Sequence, residues 1–314
     1  MKSVLITGGT GSFGRAFTKY LLTDPEIQRI VVYSRGEHAQ ESMSAEISDE
    51  RVRFFIGDVR DRHRLEIAMS GIDTVVHAAA LKIVPTAEYN PTECVATNIG
   101  GAENVVLAAL RAGVRKVIGL STDKAVNPIN LYGATKLAAE KIFIAANNLA
   151  GGKCLFSVVR YGNVVGSRGS VVPLFLTMAK QRRSLPVTDD RMTRFWIEMR
   201  GAIELVQLAH DNMKGREVFI PKIPSVRIVD LVAALNRPYH IVGIRPGEKL
   251  HETLVTEDEA RHTEDCVDHY VIHPYGIDPD DRVPENFRYA SDTNHEWLTV
   301  EQLKENIRAT SSYS

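Results

Sequence analysis

A tyrosine and a lysine on one predicted helix form the pair of side chains best suited to chemistry. Tyr132 and Lys136 are spaced i, i+4, so both side chains lie on one helical face and can meet. A nearby ammonium favours the phenolate and lowers the pKa of a tyrosine from its ordinary value of about 10. We therefore predict that Tyr132 acts as a base on a hydroxyl. The same spacing also occurs on ordinary exposed helices, so the pair alone leaves a surface role open.

A polar segment comes directly before this helix, at the end of a predicted strand. Its Thr122 would lie at the carboxyl end of the strand, where open α/β sheets form their binding crevice, and would orient the same hydroxyl. Asp123 and Lys124 follow in the same segment, and from the residues alone they read as a simple ion pair. The residues alone predict Thr122, Tyr132 and Lys136 as catalytic.

A glycine-rich segment lies near the amino terminus, between a predicted strand and a predicted helix. Residues 7–14 read T-G-G-T-G-S-F-G, which satisfies both G-x-x-G-x-x-G and G-x-G-x-x-G. Glycines allow a pyrophosphate to approach the backbone amides, and the helix amino terminus carries partial positive charge. A tight turn that binds nothing is the alternative. The predicted dinucleotide contacts in this loop are Gly8, Gly11, Ser12, Phe13 and Gly14.

The residues after the second and third predicted strands indicate which dinucleotide is bound. Ser34 and Arg35 stand where an NAD-preferring protein usually places an acid for the ribose diol. Because Arg35 is a forked, permanently charged donor for a 2′-phosphate, we predict NADP, with a solvated loop arginine as the alternative. Asp58 and Val59 are predicted to flank the adenine, although Asp58 would equally suit a helix cap.

Alternating β-branched runs and amphipathic stretches must position these residues. The predicted strands are residues 4–7, 30–34, 52–56, 74–77, 117–121 and 155–160, and the predicted crossover helices are 12–22, 93–112 and 131–149. This alternation predicts an α/β fold, a Rossmann-like doubly wound parallel sheet.

After about residue 165 the alternation of predicted strands and helices becomes less regular. Further helices are predicted at 229–235 and 300–307. We predict an NADP-binding domain over 1–165 and a smaller, mixed α/β C-terminal region over 166–314 that mainly binds substrate. Part of 190–225 is a candidate for return to the first domain.

Composition limits the classes of partner. The 314 residues have 44% hydrophobic and 25% charged side chains and a net charge of −1, which is typical of a globular protein without a global field for nucleic acid or anionic membrane. Three widely separated cysteines cannot form a disulfide framework, and no apolar run reaches the roughly 18 to 20 residues that span a bilayer. We expect a cytoplasmic protein that binds neither nucleic acid nor membrane.

Two histidine-containing segments resemble metal sites only loosely. The H-E-T-L-V run at 251–255 begins like a zinc-protease helix but lacks the second histidine. His262, Cys266, His269 and His273 have loosely ligand-like spacing, but residues 269–274 read as a strand. We predict no metal.

Longer strings carry a more specific resemblance. They are H-A-A-A-L-K at 77–82, A-E-Y-N-P at 87–91, S-T-D-K-A-V-N-P-I-N-L-Y-G-A-T-K at 121–136, R-Y-G-N-V-V-G-S-R-G-S-V-V-P at 160–173, M-T-R-F-W-I at 192–197 and R-P-G-E-K-L-H-E at 245–252. Together with the glycine loop, these strings resemble the extended short-chain dehydrogenase/reductase superfamily and, within it, the inverting UDP-N-acetylglucosamine 4,6-dehydratases.

The resemblance implies a redox-neutral dehydration. Tyr132 would help pass the C4 hydride of the sugar to NADP, the resulting ketone would acidify C5, water would leave across C5 and C6, and the hydride would return to C6. Dehydratases that retain the C5 configuration usually carry Asp-Glu where this chain has Asp123-Lys124. Lys124 would then be the C5 base, which requires a lowered pKa, and Asp123 the acid, which requires a raised one. The product implied is an L-arabino-configured 4-keto sugar.

The resemblance also implies binding residues, a substrate and partners. The substrate would be UDP-N-acetylglucosamine, on a route to pseudaminic acid or another surface glycan, and the enzyme would be a homo-oligomer. Candidate substrate ligands are Lys82, Asn163, Arg168, Arg245 and Glu248, and further cofactor contacts are expected at Ala78 and Asn98.

Two features leave alternatives open. Family members often read S-R-D-E followed by a lysine, whereas residues 34–39 read S-R-G-E-H-A, so NADP binding would be weaker, or NAD better tolerated, than in relatives. The same scaffold also carries nucleotide-sugar C4 epimerases and reductases, and a catalytically silent NADP-binding regulator is a further alternative.

Overall fold

The predicted β-branched runs form the centre of one large sheet. The computed structural model describes residues 1–167, 170–275 and 277–311. Its strands are β1 (Ser3–Thr7), β2 (Arg29–Ser34), β3 (Val52–Ile56), β4 (Thr74–His77), β5 (Lys116–Leu120), β6 (Leu155–Val159), β7 (Asn163–Val164), β8 (Leu185–Val187), β9 (Thr193–Ile197), β10 (Val218–Pro221), β11 (Ser225–Arg227), β12 (Tyr239–Ile241), β13 (Thr253–Val255), β14 (Thr263–Asp265), β15 (His269–Ile272) and β16 (Tyr289–Ala290).

Helices connect most of the central strands. They are α1 (Ser12–Leu21), α2 (Glu37–Glu46), α3 (Arg62–Ala68), α4 (Val84–Tyr89), α5 (Pro91–Val95), α6 (Gly101–Ala112), α7 (Leu131–Ala150), α8 (Val171–Lys180), α9 (Met199–Asn212), α10 (Ile228–Ala234), α11 (Glu257–Ala260) and α12 (Val300–Ser311). A π-helical turn occupies Ala96–Gly100, and 3-10 turns occupy Asp123–Ala125 and Pro279–Asp281. No helix within these described residues is both long and apolar enough to cross a membrane.

The large sheet has nine strands in the order β14-β15-β10-β6-β5-β4-β1-β2-β3. The seven strands from β10 to β3 run parallel, and β15 and β14 add two antiparallel strands at one end. The chain moves outwards from β1 in one direction and then restarts at β4 in the other, which opens a crevice at the carboxyl ends of these strands. The predicted Rossmann-like, doubly wound parallel sheet is confirmed.

One predicted helix contains a π-helical turn. Residues 93–112 are helical throughout and consist of part of α5, the π-helical turn and α6. The turn ends at Gly100, beside Gly101, where a Cβ would stand 2.7 Å from Val59 Cγ2. The prediction of a helix over 93–112 is confirmed.

A second, smaller hydrophobic core lies in the C-terminal half. It is formed by buried side chains of α8, α10 and α12 and of short strands, including Phe175, Trp196, Leu231 and Leu303. The helices predicted at 229–235 and 300–307 are confirmed as α10 and α12. Strands β10, β14 and β15 nevertheless extend the main sheet. The domain division at residues 165 and 166 stays a prediction.

A buried arginine ties the two parts of the chain together. Arg160, which follows β6, is 2% exposed and contacts the Glu140 carboxylate of α7 at 3.1 and 2.8 Å. It also donates to Glu259 of α11 at 3.1 and 3.0 Å and to the Leu254 carbonyl of β13 at 2.8 Å. Burial opposes the charge of Arg160, but the two carboxylates outweigh it and raise the pKa of the guanidinium.

We predict that Glu140→Gln strongly destabilises the fold. The substitution keeps the side chain's size but removes one of the two charges that compensate a buried guanidinium. Breaking such a buried pair typically costs about 3–5 kcal/mol. Urea unfolding followed by circular dichroism measures the change in the free energy of unfolding.

The matched control is Glu204→Gln on α9. Glu204 pairs with Arg200 at 2.6 Å on an exposed helix face, where such pairs contribute about 0.5 kcal/mol or less. Equal losses in the two variants would contradict the importance we assign to the buried network.

Candidate active site

The glycine loop turns sharply between β1 and α1. Gly8 has a φ of +65°, in the left-handed region that favours glycine, and the Gly11 N–H donates to the Gly8 carbonyl at 2.9 Å. A Cβ on Gly14 would stand 2.3 Å from the Gly9 carbonyl oxygen. The loop therefore folds closely against the first turn of α1, as a cradle that added side chains would fill.

A cavity of about 800 Å³ extends from this loop across the carboxyl ends of the parallel strands. Its volume suits a dinucleotide together with part of a nucleotide sugar. The predicted residues that line it are Gly8, Gly11, Ser12, Phe13, Gly14, Ser34, Arg35, Val59, Ala78, Lys82, Thr122, Lys124, Tyr132, Lys136, Asn163 and Arg245.

The predicted cofactor residue Asp58 instead makes ion pairs at the rim. Its carboxylate lies 2.7 Å from Arg60 and 3.8 Å from Arg35, and Arg60 contributes to holding the pKa of Asp58 low against the effect of burial. Asp58 does not cap the following helix, because Asp61 takes that position and accepts from the Arg64 N–H. Arg35 is half-exposed and lines the cavity, and its ion pair with Asp58 is long.

Asn98 is buried in the π-helical turn and braces the loop after β4. Its amide accepts from the Leu81 N–H at 2.8 Å and donates to the Leu81 carbonyl and the Thr135 hydroxyl at 3.0 Å each. The side-chain amide of Asn98 therefore already has hydrogen-bond partners within the protein. A direct contact with the cofactor stays a prediction.

The polar segment after β5 brings together three of the predicted catalytic side chains. Asp123 is fully buried, and its Oδ1 accepts from Thr122 Oγ1 at 2.9 Å and Lys124 Nζ at 3.0 Å. Lys124 Nζ also donates to Asn163 Oδ1 at 3.2 Å. Thr122, Lys124 and Asn163 line the cavity, and Asp123 lies behind them.

Tyr132 and Lys136 both line the cavity. Burial raises the pKa of Tyr132 to about 12, and the Lys124 ammonium and a hydrogen bond with Thr122 offset this only in part. Lys136 Nζ donates to the Leu120 carbonyl at the end of β5, and burial lowers the pKa of Lys136 to about 8. The effect of Lys136 on the pKa of Tyr132 stays a prediction.

Three charged residues that the sequence analysis did not assign surround Lys124. Glu252 is 2% exposed, and its Oε1 lies 3.5 Å from Lys124 Nζ. Arg194 Nε and Lys249 Nζ each lie 3.9 Å from this carboxylate. Arg194 and Glu252 fall inside the M-T-R-F-W-I and R-P-G-E-K-L-H-E strings, so those strings were the available signal.

The charge of Lys124 follows from these neighbours. Burial lowers its pKa, but the Asp123 and Glu252 carboxylates outweigh burial and hold the pKa of Lys124 above its ordinary range. This direction is opposite to the one that a base role requires. In the structure as described, Lys124 is an ammonium.

Of the remaining predicted substrate ligands, Lys82 and Arg245 line the cavity, and Glu248 does not. Desolvation and the Lys124 ammonium lower the pKa of Lys82, although part of its side chain is exposed. The exposed Arg245 precedes a turn in which the Glu248 N–H donates to the Arg245 carbonyl at 3.1 Å, and Glu248 Oε1 lies 3.7 Å from Arg194. Arg168 lies outside the described residues.

Two histidines of the loosely metal-like segment contact nearby carboxylates. His273 Nε2 lies 2.6 Å from Glu264, and His269 Nδ1 lies 2.6 Å from Asp268. Across residues 1–167, 170–275 and 277–311, no group of three or more histidine, cysteine, aspartate or glutamate side chains has the arrangement of a metal site.

Comparisons with known proteins agree with this arrangement. The chain is 49% identical to a UDP-N-acetylglucosamine 4,6-dehydratase (inverting) from Campylobacter jejuni subsp. jejuni strain 81-176, over 99% of each chain. It is 43% identical to a UDP-glucose 4-epimerase from Rickettsia bellii strain RML369-C, over 88% of this chain and 84% of that one.

A solved structure of Pen from Bacillus thuringiensis superimposes with a TM-score of 0.91 at 38% identity, covering 99% of this chain and 98% of that chain. The family described as Polysaccharide biosynthesis protein matches residues 4–274. This chain is a member of that polysaccharide biosynthesis family.

Proposed function

We propose that this protein is an inverting UDP-N-acetylglucosamine 4,6-dehydratase, a hydro-lyase that acts in polysaccharide biosynthesis. The observation that carries the proposal is the Asp123-Lys124 pair, joined at 3.0 Å beside Tyr132 at one cavity. An acid and a base on adjacent residues suit elimination of water. The 49% identical Campylobacter jejuni relative bears this activity in its name.

The glycine loop and the residues after β2 fit a nicotinamide dinucleotide. The close turn at Gly8 leaves backbone amides near the amino terminus of α1 for a pyrophosphate. We infer that NADP is preferred, with Arg35 binding the 2′-phosphate and Tyr132 and Lys136 facing the nicotinamide ribose. The chemistry that this cofactor supplies when bound is reversible uptake of a hydride from a sugar carbon.

The protein side chains handle the protons. Thr122 would orient the C4 hydroxyl, and Tyr132 would accept its proton during oxidation. Lys124 would remove the C5 proton, and Asp123 would provide the proton with which the C6 oxygen leaves as water. Hydroxide is a poor leaving group, so this protonation is needed for elimination. Returning a proton to the other face of C5 gives the L-arabino configuration of the 6-deoxy-4-keto product.

Basic residues would bind the nucleotide. We assign the diphosphate to Lys82, Arg168 and Arg245, the sugar to Asn163, and the uridine ribose to Glu248. The product would serve the synthesis of pseudaminic acid or another surface glycan. Cytoplasmic location and assembly as a homo-oligomer stay predictions.

A second candidate is C4 epimerisation of a UDP-sugar, which the 43% identity to the Rickettsia bellii epimerase favours. Epimerases transfer a hydride without eliminating water, so the Asp123-Lys124 pair would have no function in one. A catalytically silent NADP-binding regulator would give no product at all. Product analysis separates the three functions.

We predict that incubation with UDP-N-acetylglucosamine in heavy water gives an acetamido 6-deoxy-4-keto sugar with deuterium at C5 and no net NADPH. Lys124→Ala should suppress deuterium incorporation by about 100-fold or more, because loss of a general base typically costs a factor of about 10²–10⁴. Mass spectrometry and proton NMR of the product measure both quantities.

Lys153→Ala is the control, since Lys153 is exposed in the turn after α7. It should label C5 at the wild-type rate. Unchanged labelling in Lys124→Ala would remove Lys124 from the base role, and a C4 epimer in place of the keto sugar would favour the second candidate.

We predict that wild-type protein binds NADP more tightly than NAD and that Arg35→Ala raises the Kd for NADP by about tenfold, equivalent to about 1.4 kcal/mol. Affinity for NAD should change little, because NAD lacks the 2′-phosphate. Titration followed by cofactor fluorescence or calorimetry measures the four constants. Arg111→Ala, which removes an exposed arginine on α6, serves as the control. Tighter binding of NAD by the wild-type protein would reverse the assignment.

A further inference from the structure

The geometry around Lys124 raises a question that the proposed reaction does not answer. A lysine removes a proton from carbon only as a neutral amine. Lys124, however, has the Asp123 carboxylate at 3.0 Å and the Glu252 carboxylate at 3.5 Å, an arrangement that keeps its ammonium charged. The proton of this ammonium must therefore have a destination before Lys124 can act on C5.

Asp123 is the less suitable destination. Its Oδ1 already accepts from Thr122 Oγ1 at 2.9 Å as well as from Lys124 Nζ. Hydrogen bonds donated to a carboxylate stabilise the anion, so Asp123 can pass a proton on to the leaving oxygen but does not retain one. Asp123 is also the group assigned to the leaving oxygen, so it must be available to accept and pass on a proton during elimination.

Glu252 is differently placed. Its side chain is 3% exposed, and Oε2 is buried without a hydrogen-bond partner among the described residues. Among the described residues, the cations nearest to Oε1 are Lys124 Nζ at 3.5 Å and Arg194 Nε at 3.9 Å. Burial therefore raises the pKa of Glu252. A buried carboxylate with so few donors favours its neutral form.

The backbone around Glu252 is fixed by other buried contacts. The Glu252 N–H donates to Ser291 Oγ at 2.9 Å, and the Leu254 carbonyl two residues later accepts from Arg160 at 2.8 Å. The carboxylate is thus held beside Lys124 by the same network that joins the two parts of the chain.

We propose that Glu252 is a positioning residue that acts through Lys124, taking the ammonium proton onto its buried carboxylate and leaving Lys124 as a neutral amine. This inference rests on the proposed dehydratase function. One N–H bond of Lys124 breaks and one O–H bond of Glu252 forms, so the total charge of the cluster is unchanged. Lys124 then accepts the C5 proton and passes it to Asp123, which delivers it to the C6 oxygen as water leaves. Glu252 keeps its proton throughout elimination.

The transfer has a consequence for the pH dependence. The charged and titratable groups that face Glu252 are Lys124, Asp123, Arg194 and Lys249. Because the proton moves within this cluster, no proton is exchanged with solvent when the amine forms. The rate of C5 deuterium incorporation at saturating substrate should therefore be level from about pH 6.5 to about pH 9 in the wild-type enzyme.

Glu252→Gln tests the proposal, because glutamine keeps the shape of the side chain but cannot take up the proton. Lys124 must then lose its proton to solvent. At about pH 7 we expect C5 incorporation to fall by about 10- to 100-fold, and to recover by about tenfold per pH unit as the pH rises. Glu252→Asp, which keeps a carboxylate, should be slower than wild type but level with pH.

Glu217→Gln is the matched control. Glu217 is also buried, but it accepts from Ser157 Oγ at 2.6 Å and from the Gly215 N–H at 2.9 Å, beside the amino end of β10. Glu217→Gln should leave the level profile unchanged, even where it lowers the melting temperature. Melting temperature and cofactor content of each variant identify losses that come from misfolding.

A pH profile of Glu252→Gln that is level, whether at the wild-type rate or uniformly lowered, would overturn the proposal and point to Asp123 as the acceptor. A wild-type profile that rises by about tenfold per unit across the same range would overturn it without any variant. Failure of the wild-type protein to release water from UDP-N-acetylglucosamine would instead overturn the proposed function, so the two failures are distinguishable.

Discussion

The site depends on one electrostatic constraint, which is that a lysine charge enclosed by protein must be matched by negative charge at short range. Lys124 is three-quarters buried and lies between the carboxylates of Asp123 and Glu252. Without them, desolvation would remove its proton at ordinary pH. With them, the ammonium is stable, and any base chemistry requires a controlled movement of its proton. Arg194 and Lys249 add positive charge beside the Glu252 carboxylate, which offsets its repulsion with the Asp123 carboxylate.

The fold meets this constraint by bringing together segments that are far apart in the chain. The carboxyl end of β5 contributes Thr122 to Lys124, and β9 contributes Arg194. The segment before β13 contributes Lys249 and Glu252. The parallel sheet therefore supplies Thr122, Asp123 and Lys124, whereas the C-terminal part supplies the charged groups around Lys124 and Glu252.

Local patterns were enough to predict the sheet and the dinucleotide loop. Short β-branched runs such as β1 and β2 are recognisable as strands from their residue types. The spacing of the glycines after β1 predicts the tight turn, because that backbone conformation favours glycine. The resemblance added the pairing of Asp123 with Lys124, which spacing alone leaves as an ordinary ion pair. Most of the predicted cavity residues do line one cavity.

What could not be predicted depends on contacts between distant residues. Glu252 was present in the R-P-G-E-K-L-H-E string and in the H-E-T-L-V run but received no role, because nothing near it in the chain reveals that Lys124 is its neighbour. Tyr132 and Lys136 do lie on one helix, but the Lys136 ammonium donates a hydrogen bond to the Leu120 carbonyl at the end of β5. The protonation states of these side chains depend on contacts between residues far apart in the chain, so composition and periodicity cannot predict them.

The Arg160 network also limits how the protein can move. Separating α11 and β13 from α7 would strand a guanidinium that has about 2% exposure and four contacts to carboxylates. Hinge motion at that junction is therefore energetically unfavourable. We therefore expect α7, α11 and β13 to move as one unit in any rearrangement that keeps the fold intact.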